Sequence, residues 1–208
     1  MYKYILTLLL WFPLIMWSQN DNQPVTWDVS AGKFEEIQSF FNSYLEVTRK
    51  MDWDQVLDKT HPGLIELTTR EQLKSQLDQA LNNYLYTTTF DEMRFNRISK
   101  SIVFKDVYYY QIDYYSAFTF HFIKDEKQTQ EEHDNYVSFM TSIFANQFSD
   151  MQVSQKASDI KIEGDKKILL IEDASLDGMK MLELKPELQM YLSMFIPEVV
   201  VNEFFKSN

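Results

Sequence analysis

Three histidines are the side chains in this sequence best suited to acid–base chemistry or metal binding. They stand at positions 61, 121 and 133 of 208, and the chain contains no cysteine. A zinc site needs three or four ligands that converge on one point, and these separations do not predict convergence. The lack of cysteine also excludes disulfides, thiolate metal centres and a cysteine nucleophile. We therefore expect no metal site and no cofactor.

His121 lies on the same predicted strand as Asp113, an arrangement that suggests a catalytic histidine–aspartate pair. Strand residues advance about 3.4 Å each, so eight residues separate the two side chains by about 27 Å, far beyond hydrogen-bond reach. We interpret His121 as structural. His61 ends a predicted helix, and His133 belongs to the acidic cluster Glu131–Asp134, which is typical of the solvated first turn of a helix. Both are interpreted as structural as well.

Other catalytic and metal-binding motifs are missing. The four glycines stand at positions 32, 63, 164 and 178, too far apart for a Gly-x-Ser-x-Gly motif or a glycine-rich phosphate loop. The segment from Asp173 to Gly178 lacks the alternating oxygen ligands of a calcium loop. Neighbouring carboxylates such as Asp52 and Asp54 are explained by helix capping and by an acidic surface. No catalytic residue is predicted.

The remaining candidates are aromatic residues on one long predicted strand, Val107 to Ile123. Phenol groups on a buried face need hydrogen-bond partners, and they can instead project into a cavity. We predict that Tyr108, Tyr110, Tyr114 and Phe118 line an aromatic cavity that binds a small apolar ligand. The alternative is that they form an ordinary aromatic core.

The elements that position these residues begin with helices. Apolar residues at three- and four-residue spacing predict an amphipathic helix over Lys33–Lys50. Asp52 predicts the cap of a short second helix, which His61-Pro62-Gly63 is expected to stop. Thr68 and Glu71 have capping-box spacing and predict a third helix, whose apolar stripe would extend from residue 73 to residue 84.

After Asp91 the apolar period changes to two, which predicts strands up to Phe104 and from Val107, with a turn at Lys105-Asp106. Glu163-Gly164-Asp165 predicts the turn of a later hairpin. The other predicted elements are a helix over residues 134–148, strands over 153–162, 167–172 and 179–184, and two short helices near the C-terminus.

This order predicts the α+β class: N-terminal helices packed on a curved antiparallel sheet, with an inserted helix and short C-terminal helices. The even positions of the long strand form an aromatic face, which we expect the three preceding helices to cover. The odd face is expected to meet solvent or a partner sheet. Tyr109, Tyr115 and Ala117 on that face suggest a homodimer.

Residues 1–18 have the pattern of a secretory signal peptide. Lys3 precedes an apolar run over residues 5–17, which is shorter than the roughly 20 residues that a membrane helix needs. We predict cleavage between Ser18 and Gln19. An uncleaved membrane anchor is the alternative.

The rest of the chain is predicted to form a flexible linker over residues 19–32 and a single domain over residues 33–208. The domain would then be secreted or periplasmic, with no membrane span after cleavage. The chain has 31 acidic and 20 basic residues and a formal net charge of −11. Such a charge repels phosphate backbones, so we expect no nucleic-acid partner.

The predicted helices over residues 34–48, around Trp53 and over residues 73–84, followed by the aromatic strand Tyr108–Phe122, resemble the nuclear transport factor 2-like superfamily. This resemblance implies a cone-shaped α+β fold with a cavity between helices and sheet, as in small secreted bacterial proteins of this fold. The inserted helix and the C-terminal helices depart from the usual pattern. Superfamily members include dehydratases, isomerases, polyketide cyclases and binding domains, so the fold selects no activity.

We therefore expect a non-enzymatic domain that binds a small apolar ligand or a protein partner. The alternative is a small cofactor-independent enzyme of the dehydratase or isomerase kind, and a third reading is an interaction scaffold held on a membrane by an uncleaved N-terminus. An enzyme would need an acid or base on the aromatic face, where the long strand offers only phenols and Ser116.

Overall fold

The computed structural model describes residues 23–206. The predicted signal peptide, its cleavage site and the first part of the predicted linker lie outside the described residues, as do the last two residues of the predicted domain.

The first two helices follow the predicted pattern. Helix α1 (Ala31–Arg49) begins after Ser30, whose side chain accepts a hydrogen bond from a backbone N–H of the first turn, and it buries Ile37 and Phe41 on one stripe. Helix α2 (Trp53–Asp58) is capped by Asp52, as the sequence predicts.

The region after α2 differs from the prediction. Helix α2 ends at Asp58, and Pro62 begins helix α3 (Pro62–Glu66) instead of closing a turn. Proline suits the first turn of a helix, where its missing N–H needs no partner. Gly63 is required there because a Cβ atom would collide with the ring of Phe195.

Helix α4 (Arg70–Leu81) has its capping box one residue later than predicted, at Thr69 and Gln72. None of its residues is buried, and Tyr84, which was expected on its apolar stripe, lies beyond the helix with 85% of its surface exposed. Helix α4 packs beside α2 through Leu77 and Leu81. It is not a cover for the sheet.

The sheet has six strands. Strand β1 (Val25–Thr26) pairs with β2 (Tyr86–Phe104), which pairs with β3 (Val107–Phe122). Strand β5 (Asp159–Glu172) lies on the other side of β3 and pairs with both β4 (Gln152–Lys156) and β6 (Lys180–Glu183). All pairs are antiparallel, and the sheet curls into a half-barrel. The remaining elements are α5 (Gln130–Gln147), a 3₁₀ turn (Pro186–Leu188), α6 (Gln189–Leu192) and α7 (Glu198–Phe205).

Strand β2 is longer than predicted, because it starts at Tyr86 and not after Asp91. Three register shifts, between residues 90 and 92, 95 and 97, and 98 and 100, interrupt its pairing with β3. Each bulge reverses the alternation of side chains and bends the strand. Because of these bulges, the first half of β2 lacks the regular alternation of apolar and polar residues from which a strand is predicted.

The predicted hairpin turn at Glu163-Gly164-Asp165 is wrong, because these residues lie inside the continuous strand β5. The turn between β4 and β5 is at residues 157 and 158, where Ala157 has a positive φ of 52°. Gly164 pairs with Ser116, and a Cβ atom at Gly164 would lie 3.3 Å from Met151. The glycine thus permits close packing.

The aromatic face of the sheet has two covers. Ile37 and Phe41 of α1 pack against Tyr110 and its neighbours, and α5 packs against Phe118 and Phe120 through Val137 and Phe144. Of the three helices expected to cover this face, α1 alone contributes to the two clusters in the described chain. The inserted helix α5 supplies the second cover.

The opposite face is also buried along its first half. Tyr109 is only 4% exposed and packs in one cluster with Leu169, Val200 and Phe204 beneath the C-terminal helices. The expectation that this face meets solvent or a partner sheet is wrong for this half. The surface predicted for homodimerisation therefore does not include Tyr109, and Ala117, farther along the same face, is only 1% exposed and cannot belong to it either.

The second part of the predicted linker is part of the domain. Strand β1 pairs with Ile102 and Val103, and the ring of Trp27 contacts that of Tyr108 at a centroid distance of 5.2 Å. The hydroxyl group of Ser101 donates a hydrogen bond to the carbonyl of Trp27. The described domain begins at about residue 25, ahead of the predicted boundary. Within residues 23–206, no helix combines the length and apolar character needed to cross a bilayer.

Candidate functional site

The four aromatic residues predicted to line one cavity lie in different environments. Tyr108 is 36% exposed and faces a surface cleft. Tyr110 and Tyr114 are buried beneath α1, and Phe118 is buried beneath α5. Tyr108 is therefore the member of this set that is open to a ligand.

The cleft around Tyr108 has a volume of about 340 Å³ and opens to solvent. It lies between α1, the β2–β3 turn, the end of β5 and the loop that follows β5. The lining residues are Glu36, Asp106, Tyr108, Glu172, Asp173, Ala174, Leu176, Gly178 and Met179.

Local sequence determines the two loops of this cleft. Lys105 and Asp106 both have positive φ, 50° and 63°, as in the tight two-residue turns that join antiparallel strands. This turn places Asp106 next to Tyr108. On the other side, the side chain of Asp173 accepts a hydrogen bond of 2.8 Å from the backbone N–H of Ser175. This bond holds the pKa of Asp173 below its usual value and keeps the carboxylate charged.

Tyr108 is the aromatic residue that lines the cleft, and two further aromatic rings pack against it or near it. Trp27 lies edge-on to Tyr108 and also contacts the ring of Tyr110, with a centroid distance of 6.0 Å. Tyr110 is buried, and its hydroxyl group donates a hydrogen bond of 2.9 Å to Glu172. Burial, and then this bond to a carboxylate, raises the pKa of Tyr110, so the phenol stays protonated as a donor.

The charge of the cleft is negative. Four of its lining residues are carboxylates, and one neighbouring ammonium group, that of Lys33, lies 2.7 Å from Glu36 and 2.8 Å from Glu172. Burial lowers the pKa of Lys33, but the hydrogen bonds to Glu172 and Glu36 outweigh it and raise the pKa overall. The single ammonium group of Lys33 does not neutralise the four carboxylates, so the cleft keeps a net negative charge.

A second polar group lies on the aromatic face itself. Lys166 of β5 pairs with Tyr114, and its Nζ atom lies 5.5 Å from the centre of the Phe118 ring. Burial lowers the pKa of Lys166. Sequence analysis missed this lysine because the predicted turn at residues 163–165 left its side-chain direction undefined. The alternation Ile160, Ile162, Gly164, Lys166, Ile168 would have placed it on this face.

His121 has an aspartate partner, but not Asp113. Its Nδ1 atom lies 2.9 Å from Asp159 on β5, and its Nε2 atom lies 2.9 Å from the hydroxyl group of Thr89 on β2. Asp113 instead accepts a hydrogen bond from Arg97. The row of Thr89, His121 and Asp159 crosses three strands, so its members could be found only once the strand register was known.

The other two histidines have structural roles that differ from those predicted. His61 caps helix α3, because its Nδ1 atom accepts a hydrogen bond from Gly63, and burial lowers its pKa. His133 was expected in a solvated cluster, but it is only 1% exposed and its Nε2 atom lies 3.0 Å from the hydroxyl group of Ser158. Its position on α5 faces the β4–β5 turn. In the described part of the chain, no three histidine or carboxylate groups are placed to hold a metal ion.

Comparison with known proteins identified no relative of this chain. No protein-family model matches the chain, and no curated protein or solved structure is similar enough to count as a match. The resemblance to the nuclear transport factor 2-like superfamily therefore stays a prediction.

Proposed function

We propose that this is a binding domain whose Tyr108 cleft recognises a cationic group attached to an apolar or aromatic body. The observation that carries the proposal is the exposed Tyr108 ring in a cleft lined by four carboxylates. The ligand would be an amphipathic amine or a lysine- or arginine-containing segment of a partner protein. Secretion, which the pattern of residues 1–18 predicts, would present the cleft to such molecules outside the cytoplasm.

Two interactions support a cationic ligand. A cation over the face of a tyrosine ring gains about 0.5–2 kcal/mol, with the larger value in a desolvated site. Carboxylates in a cleft with low-dielectric walls concentrate cations and attract them more strongly than isolated surface charges do. The net charge of −11 adds a long-range attraction of the same sign.

The carboxylates change the ligand class that the sequence suggested. An aromatic cavity alone predicts a small apolar ligand, but a neutral ligand in this cleft would desolvate Glu36 and Asp106 without compensating them. A cationic group on the ligand would attract both carboxylates and so offset the loss of their hydration. The alternative of a cofactor-independent dehydratase or isomerase stays a prediction.

The proposal can be tested with two small probes of similar size and opposite charge, phenethylammonium and phenylacetate. Binding to the full chain would be followed by NMR chemical shifts, including those of the indole group of Trp27. We expect phenethylammonium to bind, with an affinity that falls as salt concentration rises, and phenylacetate not to bind. Equal binding of both probes would overturn the proposal.

Variants locate the site. Tyr108→Ala should weaken phenethylammonium binding about fivefold, the equivalent of about 1 kcal/mol. Glu36→Gln should also weaken it, whereas Glu35→Gln is the matched control, because Glu35 is the exposed neighbour of Glu36 on α1 and does not line the cleft. Unchanged affinity in Tyr108→Ala, with folding verified by circular dichroism, would place any binding elsewhere.

A further inference from the structure

Two of the four carboxylates that line the Tyr108 cleft already hold a cation, which is a side chain of the protein itself. The Nζ atom of Lys33, in the first turn of α1, lies 2.7 Å from Glu36 and 2.8 Å from Glu172. The Lys33 side chain is 23% exposed, whereas those of Glu36 and Glu172 are 56% and 32% exposed. The ammonium group is therefore seated between its two acceptors. We call this pair of carboxylates the filled position.

The filled position is held by contacts that do not depend on a ligand. Glu172 has both oxygens engaged, since one accepts a hydrogen bond from Lys33 and the other accepts a hydrogen bond of 2.9 Å from the buried Tyr110. Glu36 follows Lys33 by three residues on α1, a spacing that puts two side chains next to each other on a helix. These two carboxylates are partly neutralised before any ligand arrives.

The other two carboxylates of the cleft hold no cation. In the described part of the chain, no lysine, arginine or histidine nitrogen lies within 4.0 Å of the carboxylate of Asp106 or Asp173. The backbone N–H of Ser175 orients Asp173. Lys105, next to Asp106 in the β2–β3 turn, has its Nζ atom 5.2 Å from the centre of the Phe104 ring, in the cluster on the opposite face. We call Asp106 and Asp173 the open position.

We propose that the Tyr108 cleft has two positions for cations: the ammonium group of Lys33 occupies the filled position, and the cationic group of the ligand takes the open position. This inference rests on the proposed function of the cleft. A volume of about 340 Å³ is at the small end of the range for ligand pockets, so one small molecule can reach both positions.

Lys33 is then the residue that determines how many cationic groups the ligand has. A ligand with one ammonium group meets free carboxylates at the open position. A second ammonium group on the same ligand would meet the like charge of Lys33, because the carboxylates around it are already paired. A repulsive element of this kind is a common source of specificity. The unmodified cleft should therefore favour monoamines over diamines.

The experiment compares two probes with the same skeleton, para-methylbenzylammonium, which has one ammonium group, and para-xylylenediammonium, which has two. NMR titration gives their dissociation constants for the unmodified full chain and for Lys33→Gln, which empties the filled position. We expect Lys33→Gln to raise the affinity of the dication relative to that of the monocation about fivefold, as for one partly exposed ion pair.

Lys50→Gln is the matched control. Lys50 lies at the C-terminal end of α1 and pairs at 2.7 Å with Glu46, which does not line the cleft. Its replacement changes the net charge of the chain by the same amount as Lys33→Gln. An increase in dication affinity that comes only from net charge would thus appear in both variants. Circular dichroism verifies that both fold.

A second pair of variants tests the open position and leaves Lys33 unchanged. Asp106→Asn should preserve the turn, because asparagine also adopts a positive φ such as the 63° at this position. It should weaken binding of para-methylbenzylammonium more than Glu36→Gln does, since Glu36 already shares its charge with Lys33. An equal or larger loss in Glu36→Gln would overturn the assignment of the two positions.

The outcomes distinguish this inference from the proposed function. If para-methylbenzylammonium binds, but Lys33→Gln changes the relative affinity of the two probes no more than Lys50→Gln does, Lys33 does not determine specificity and the cation-binding cleft still stands. If para-methylbenzylammonium does not bind to the unmodified chain, or binds equally well to Tyr108→Ala, both the proposed function and this inference are wrong.

Discussion

The hydroxyl group of Tyr110 donates a hydrogen bond of 2.9 Å to one oxygen of Glu172, and the other oxygen of Glu172 accepts a hydrogen bond from Lys33. Tyr110 is buried beneath α1, whereas Glu172 lines the surface cleft. A core side chain therefore fixes the orientation of a cleft carboxylate. The position of this charge is determined by the packing of the aromatic face.

Tyr110→Phe removes this hydrogen bond and should lower the free energy of unfolding by about 1.5–3 kcal/mol, the usual range for a hydrogen bond to a charged group. Urea denaturation measures the loss. Tyr115→Phe is the matched control, because the Tyr115 hydroxyl donates to Glu163 at the surface and its removal should cost less. A larger loss in Tyr115→Phe than in Tyr110→Phe would show that the buried bond is not the stronger one.

Asp113 should make the domain sensitive to acid. Burial raises the pKa of Asp113, but hydrogen bonds from Ser99, Arg97 and Gln111 outweigh it and leave the pKa below its usual value. A carboxyl group of this kind stabilises the folded state above its unfolded pKa of about 3.9, and the contribution is lost as the pH falls below that value.

Asp113→Asn should therefore destabilise the domain at pH near 7 by about 1.5–3 kcal/mol, with a smaller difference from the unmodified chain in more acidic solution. Urea denaturation of both proteins as a function of pH measures this. Asp165→Asn, at an exposed carboxylate on the same face, is the control and should have a smaller effect. If the difference in the free energy of unfolding between the unmodified chain and Asp113→Asn stayed constant down to the lowest pH, Asp113 would not be the group that makes the domain sensitive to acid.

Gly164 and Gly32 should respond oppositely to alanine. A Cβ atom at Gly164 would lie 3.3 Å from Met151, so Gly164→Ala should destabilise by about 1–3 kcal/mol through overpacking. A Cβ atom at Gly32, in the first turn of α1, would meet nothing within 4 Å, so Gly32→Ala should stabilise by about 0.4–1 kcal/mol. Thermal unfolding of both variants checks the signs. Stabilisation by Gly164→Ala would mean that Met151 moves freely.

The C-terminal helix α7 should be required for stability. Phe204 is buried in the cluster that covers Tyr109, and Phe204→Ala should cost about 3–5 kcal/mol. Phe205 is only partly buried, and Phe205→Ala is the control with a smaller cost. Denaturant unfolding followed by circular dichroism measures both. If Phe204→Ala lowered the free energy of unfolding by less than Phe205→Ala does, α7 would not be part of the layer that covers Tyr109.

Several elements could be predicted from sequence because their signals are local. The spacing of Ile37 and Phe41 predicts α1, Asp52 predicts the cap of α2, and Lys105-Asp106 predicts the turn between β2 and β3. In each case the pattern and its structural result lie within a few residues of chain. Hydrogen bonds from side chain to nearby backbone and the two side-chain periods decide such features without distant contacts.

Residues farther apart in the chain decided the rest. The composition and periodicity of the sequence determined the α+β class, a net negative charge and an aromatic strand face. Only the tertiary structure decided that α5 and the C-terminal helices complete the covers, and that Tyr108 alone of the predicted set faces the cleft. It also placed Lys166 beside Phe118. The physical reason is strand register: which side chains share a face and which helix buries them depends on pairing between distant segments, and no local pattern specifies that pairing.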